Sequence, residues 1–268
     1  MDETSSCLFL GSCHGLILFN VNEHISLWNP SIRFRAKVLE LYIMLGDYYT
    51  HGGLCFDTSK NVYKAVLIGS EFVIVASLED KQWRLLEFPY DILSVCDGIT
   101  LHGRIHCRVR VKESYISYNE HLTNALVCFD PASEKFHTFP VPEPKSDQEE
   151  NAIAGLGVLN ECLCMTQLQD DKSVEILVMK EYGVKESWTS LFFISNSELD
   201  PYLGTIAPLF MTDNGEFVLV TWNSEKVVLY NPKNNNILNV VVDGKTEYIW
   251  GTIRYVESLI SPKEYVLL

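Results

Sequence analysis

The chain has 268 residues, 47% of them hydrophobic and 21% charged, a globular composition with enough apolar material for a large core. With 35 acidic residues against 21 basic ones the formal net charge is −14, which excludes a general affinity for nucleic-acid backbones or anionic membranes and favours a basic protein partner. The longest unbroken apolar runs, such as Phe72 to Ala76 and Phe217 to Val220, fall far short of the roughly 18 residues a membrane span needs.

Met1-Asp2-Glu3-Thr4-Ser5-Ser6 has no basic start before an apolar block, so no secretory signal is read there. The first predicted unit, about 7–42, turns at His14-Gly15 into Leu16-Ile17-Leu18-Phe19, then ends a third strand at Ser26-Leu27-Trp28-Asn29-Pro30 and restarts at Phe34. The second, about 52–90, turns at Ser59-Lys60-Asn61, passes Val75 to Asp80 and restarts at Trp83. The third, about 97–141, repeats this with His102-Gly103, Val127-Cys128-Phe129-Asp130-Pro131 and Phe136. The fourth, about 152–195, has Asn160-Glu161, Leu177-Val178-Met179-Lys180-Glu181 and Trp188. The fifth, about 205–242, has Asn214-Gly215, Phe217-Val218-Leu219-Val220 and Val228-Leu229-Tyr230-Asn231-Pro232. The anchors at 28, 78, 129, 180 and 230 are 50 or 51 residues apart.

Gly and Asn suit the tight hairpin turns because those turns need positive φ. Two hairpins per repeat of about fifty residues make a four-stranded sheet of kelch-like period, and a lone sheet of this kind would leave its apolar face in water. The expectation is an all-β, kelch-like β-propeller of about five four-stranded blades, with six blades, one incomplete, as the alternative. Residues 1–268 form a single domain in this reading, closed by a strand over about 248–257.

The repeated aromatics Trp28, Trp83, Phe129, Phe136, Trp188 and Tyr230 are expected to fill the wedges between blades rather than to cage a ligand. The pairs at Asn29, Asp130 and Asn231 before proline are turn chemistry. Cys7, Cys13, Cys55, Cys96, Cys107, Cys128, Cys162 and Cys164 lie almost entirely in apolar runs and read as reduced thiols of a cytoplasmic or nuclear protein. Cys13-His14 with Cys7, His102 with His106 and Cys107, and Cys162 with Cys164 lack the paired spacing of a zinc site, so no metal or cofactor is expected. No G-x-S-x-G elbow or Gly-rich phosphate loop is present, and no catalytic residue is assigned. A propeller hydrolase acting on glycans stays open as the alternative, since it would need two carboxylates converging on the axis.

Several of these segments also resemble a family. Gly11-Ser12-Cys13-His14-Gly15-Leu16-Ile17 followed by Leu27-Trp28-Asn29-Pro30-Ser31-Ile32-Arg33 is similar to the opening signature of the F-box-associated domain of plant F-box proteins, with His14 in place of the usual Asn. Cys55-Phe56-Asp57 with Tyr63-Lys64-Ala65-Val66, Gly103-Arg104-Ile105-His106, Phe129-Asp130-Pro131 through Phe136, and Val174 through Trp188 match further along the chain. Tyr255-Val256-Glu257-Ser258-Leu259-Ile260-Ser261-Pro262 resembles the ending of the same proteins. The resemblance implies a subunit that recruits protein substrates to an SCF-type Cullin-RING ubiquitin ligase, with the ligase chemistry on other subunits. It implies contact with a Skp1-like adaptor through an F-box, and nothing before Cys7 reads as one, so this chain is not expected to reach the adaptor alone. The S-locus F-box proteins share the Lys180 to Trp188 segment and recognise basic ribonucleases, which an acidic surface would suit.

In a propeller, the loops between blades share a face with those joining second to third strands. That face is rich in tyrosine and acid, and the expected protein-binding residues are Tyr48, Tyr49, His51, Tyr90, Tyr115, Tyr118, His121, Glu149, Glu150, Asp170, Asp171, Asp200, Tyr202 and Tyr248. Exposed aromatics carry interface energy, and carboxylates steer a basic partner.

Overall fold

The computed structural model describes residues 7–21, 24–41, 49–69, 72–88, 92–112, 122–142, 153–170, 173–195, 206–221, 226–240 and 253–265. Among them the regular structure is strand, apart from two short 3-10 turns at Lys185–Ser187 and Pro262–Tyr265. The first sheet holds β1 (Cys7–Cys13), β2 (Leu16–Val21), β3 (His24–Asn29) and β4 (Phe34–Glu40). The second holds β5 (Tyr49–Asp57), β6 (Val62–Gly69), β7 (Val73–Ser77) and β8 (Trp83–Leu86). The third is β9 (Ile92–Leu101), β10 (Arg104–Lys112), β11 (Leu122–Asp130) and β12 (Lys135–Thr138). The fourth is β13 (Ile153–Leu159), β14 (Cys162–Asp170), β15 (Ser173–Met179) and β16 (Trp188–Ser195). The fifth is β17 (Ile206–Met211), β18 (Phe217–Thr221), β19 (Lys226–Asn231) and β20 (Asn236–Val240). Each is a meander with its strands in chain order, the arrangement expected of a propeller blade.

The turns explain why the chain folds back where it does. His14, Gly15, Asn61, His102, Gly103, Asn160, Glu161 and Gly215 all have positive φ in the hairpins joining first to second strands. A different turn joins third to fourth strands, with one left-handed residue at Arg33, Lys81, Glu134, Gly183 or Asn235. Its first side chain caps it. Asn29 Oδ1 accepts the Ser31 N–H at 2.9 Å, Asn231 Oδ1 the Lys233 N–H at 3.0 Å, and the Asp130 carboxylate the Ser133 hydroxyl at 2.7 Å.

The chain divides into two compact units. The first comprises Met1–Val111, Val127–Thr138 and Ile253–Leu268. Its core lies between the first two sheets, where Leu16, Leu18, Ile25, Leu27 and Val38 meet Leu54, Tyr63, Ala65, Leu67 and Ile74. Here β5 packs against both β1 and β9, so the first strands of three sheets converge. A Cβ on Gly11 would lie 2.9 Å from the Gly53 Cα, so glycine is what allows that approach. The second unit comprises Lys112–Leu126 and Phe139–Thr252. Its core joins Cys164, Val174, Ile176 and Ile194 of the fourth sheet to Ile206, Phe217, Leu219, Val228 and Tyr230 of the fifth. β13 crosses β17 so closely that a Cβ on Gly157 would stand 2.1 Å from the Pro208 carbonyl oxygen.

The first strand of every sheet also carries a bulge. The register skips one residue between Phe9 and Gly11, Tyr49 and His51, Ile153 and Gly155, and Pro208 and Phe210, and Cys107 to Arg108 of β10 spans a skipped residue of β9. Such a bulge bends a strand and sharpens its twist, as a first strand converging on its neighbours requires.

Of the aromatics expected between blades, Trp83, Phe136 and Tyr230 lie between neighbouring sheets. Trp83 donates its indole N–H to the Glu40 carbonyl at 2.8 Å, joining the second sheet to the end of the first. Trp188 likewise donates its indole N–H to a backbone carbonyl, that of Pro140, at 3.0 Å. Phe136 occupies the same place in the third sheet and meets Phe88 edge to face at 4.7 Å. Phe129 and Tyr230 are fully buried. Trp28 is the correction: it is 36% exposed, because its pairing with Ile17 and Arg35 places it on the face of the first sheet opposite Leu16, Leu18 and Leu27. The described part of the expected closing strand, 253–257, lies outside any sheet.

Candidate functional site

In each sheet the hairpin turns stand at one end and the connection from second to third strand at the other. Of the fourteen residues expected to bind protein, Tyr48, Tyr90, Tyr115, Tyr118, His121, Glu149, Glu150, Asp171, Asp200, Tyr202 and Tyr248 lie outside the described residues. Tyr49, His51 and Asp170 lie within them. Tyr49 pairs with Gly69 and His51 with Ile68, at the connection end of the second sheet. Asp170 pairs with Ser173 at the same end of the fourth.

That end of the first sheet carries a group not singled out from the sequence. His24 opens β3 directly across from Glu40, which closes β4. The His24 Nδ1 lies 2.7 Å from Glu40 Oε2, and Lys37 bonds to the other oxygen of the same carboxylate. The Lys37 amine also lies 3.3 Å from His24 Nε2. The bond from Lys37 holds the Glu40 carboxyl below its ordinary range, against a smaller burial effect. In the fourth sheet, Gln169 donates to Glu175 at 2.8 Å one residue before Asp170. These are polar groups near strand ends, the carboxylates and lysine among them suited to pairing with charged side chains of a protein.

The chemistry at the turn end is of another kind. Lys64 is 2% exposed and Asp57 0%, with Nζ 3.0 Å from Asp57 Oδ2, 2.9 Å from Glu134 Oε1 and 2.5 Å from the Pro131 carbonyl. Arg84 grips the same Glu134 with both guanidinium nitrogens, at 2.7 and 2.8 Å. Burial alone would push the Asp57 carboxyl up, but bonds from Ser59, Lys64 and the Lys60 N–H outweigh it and hold the group at about 2. Arg84, then Lys64, holds Glu134 at about 2 against burial. Lys64 is itself raised, its two carboxylate partners overcoming the burial that would lower it. A cleft of about 220 Å³ opens beside this group, lined by Lys60, Val62, Ser77, Glu79 and Asp80 as well as Lys64, Arg84 and Glu134. It is smaller than the pockets of about 300–1,000 Å³ that hold small ligands. Asp57 with Lys64 and Pro131 with Glu134 come from two of the family-like segments, which thus meet as a buried ionic staple between the second and third sheets.

The thiols and histidines here are poorly placed for catalysis. Cys13 is pushed up to about 12 by burial and Cys55 is raised well above its ordinary value by the same cause, so neither supplies thiolate near neutrality. His106 is fully buried and lowered to about 4, again by burial, and stays neutral. Among the described residues no group of three or more His, Cys, Asp or Glu is arranged to hold a metal ion.

Comparison with known proteins assigns the family. Residues 1–259 match the F-box associated beta propeller domain model. The F-box protein CPR1 of Arabidopsis thaliana is 27% identical over 82% of this chain and 60% of its own length. The F-box/kelch-repeat protein At3g23880 of the same plant is 25% identical over 95% of this chain and 69% of its own length. The chain thus spans about 60–69% of the length of these curated relatives. Among solved structures a streptogramin B lyase covers 92% of this chain and 86% of its own at 11% identity and a TM-score of 0.46, too distant to bear on chemistry. Five four-stranded meanders in a chain matched almost end to end place this protein in the F-box-associated β-propeller domain family.

Proposed function

We propose that this chain is the substrate-holding domain of a plant SCF-type ubiquitin ligase subunit, acting by protein binding with the ligase chemistry on other subunits. The observation that carries this reading is the family match over residues 1–259. Residues 1–268 act as one recognition domain in a cytoplasmic or nuclear setting, and the Skp1-like adaptor is engaged by an F-box rather than by these sheets. The target sits on the connection end of the sheets, which carries Tyr49, His51, Asp170 and the His24, Lys37 and Glu40 group, and the net charge of −14 favours a basic target. The hydrolase alternative requires a carboxyl that keeps its proton near neutrality. Asp57 and Glu134 lie close enough to share one lysine, yet both are held at about 2, so neither of this pair would be that proton-carrying acid.

Affinity capture from plant tissue tests it, with the chain as bait beside a variant in which Tyr48, Tyr118 and Tyr202 are all replaced by Ala. The bait is expected to retain a discrete set of basic proteins that the variant loses, with retention falling as salt rises from roughly 0.1 to 1 M and the Debye length shrinks from about 10 to 3 Å. Identical capture by both would remove this face from consideration.

A further inference from the structure

The segment 253–265 belongs to no sheet yet is held against the turn end of the first two sheets by a distinctive set of contacts. Asn29 is fully buried, and its amide donates to the Ser258 carbonyl at 3.0 Å and the Ile260 carbonyl at 2.7 Å. Ser12 donates its hydroxyl to the Arg254 carbonyl. Three main-chain carbonyls of the segment are therefore read by side chains of the first sheet. The side chains inserted are few and specific. The Tyr255 hydroxyl donates to Asn29 Oδ1 at 3.2 Å, receives the Ser31 N–H at 3.0 Å and bonds to the Ser31 hydroxyl. Ser258 fills the space where Gly15 has no side chain, since a Cβ there would lie 2.3 Å from its Oγ. Tyr265 then stands edge-on to Tyr63 at 5.7 Å. Between Tyr255 and Ser261 the apolar side chains contribute little, for Leu259 is 85% exposed and Val256 53%, while beyond it Pro262 is buried and Tyr265 packs against the core of the first two sheets.

A floor that reads backbone carbonyls, a glycine-shaped socket and an aromatic hydroxyl site together have the features by which an extended peptide is bound. We propose that the groove formed by Ser12, Gly15, Asn29 and Ser31 is a peptide-binding site whose resident ligand is the chain's own segment from Arg254 to Tyr265, selecting Tyr-x-x-Ser in the part that precedes the 3-10 turn at Pro262–Tyr265. Held by side-chain contacts and no strand ladder, the segment exchanges with another of that pattern without unpairing a sheet. The site is on the turn end, so it stands or falls independently of the target face proposed above.

The test uses the full chain and deuterium exchange of amides 253–261, with trypsin cleavage after Arg254 and Lys263 as a second readout. A synthetic peptide of residues 254–265, added in excess, is expected to raise exchange and cleavage of the resident segment, and a scrambled peptide is not. Tyr255→Phe, which removes only a hydroxyl and leaves the sheets intact, is expected to raise the open population at least about fivefold, the value of one of the three neutral hydrogen bonds that hydroxyl makes. Asn29→Ala is expected to have a larger effect. The proposal is overturned if excess peptide leaves the segment's exchange unchanged, or if Tyr255→Phe exchanges as the wild type does.

Discussion

Lys64 and Asp57 are buried together, and removing Lys64 leaves Asp57 without a cation, whereas removing Asp57 leaves Lys64 with Glu134 as its one carboxylate partner. Lys64→Met keeps the aliphatic stem and is expected to destabilise the fold by about 3–5 kcal/mol, read as a lower urea midpoint. Adding Asp57→Asn should recover part of that loss, since the two residues act as one unit. The pH dependence has a definite sign. Asp57 and Glu134 are both depressed in the folded chain, so their contribution is complete above the ordinary carboxylate range near 4 and is lost as pH falls towards about 2. The thermal midpoint is expected to hold between pH 5 and 7 and drop below about 4, with a shallower drop in the Asp57→Asn and Glu134→Gln double variant. None of this could be read from the residue order, because a lysine in an apolar strand reads as a half-exposed position. Its partner Glu134 lies 70 residues away and reaches it only because a left-handed turn residue points there.

Elements were far more legible. The hairpins fall where Gly, Asn and Asx-Pro pairs mark them, since a left-handed or capped turn is a local demand that the chain meets with local residues. What was not legible depends on a neighbouring sheet. The bulge in each first strand and the need for glycine at Gly11 or Gly157 arise from backbones that meet only after folding. The indole latches lie between these cases: the aromatic leading the fourth strand is visible in several of the repeats, while the carbonyls that Trp83 and Trp188 bond to, those of Glu40 and Pro140, are not. Trp188→Phe retains a ring and loses only the bond to Pro140, so it is expected to cost about 1 kcal/mol of unfolding free energy in urea titration. A cost near zero would mean that the bond merely replaces one to water.

At the scale of the molecule the all-β propeller class followed from the repeat of about fifty residues, because one meander cannot bury its own apolar face. The binding face was less accessible to the same reasoning, since loop chemistry answers to a partner and no packing rule selects it; His24, Lys37 and Glu40 emerged only once the register set them side by side. The two latch tryptophans have a further use. Trp83 belongs to the first compact unit and Trp188 to the second, and each is partly buried with its N–H bonded to a backbone carbonyl. Unfolding should therefore shift the emission of each towards the red, and the difference between the wild type and the Trp83→Phe or the Trp188→Phe chain isolates the signal of one of the five tryptophans. Coincident transitions in the two difference signals would mean that both halves melt as one cooperative body, whereas separated ones would reveal an intermediate with a single half still intact.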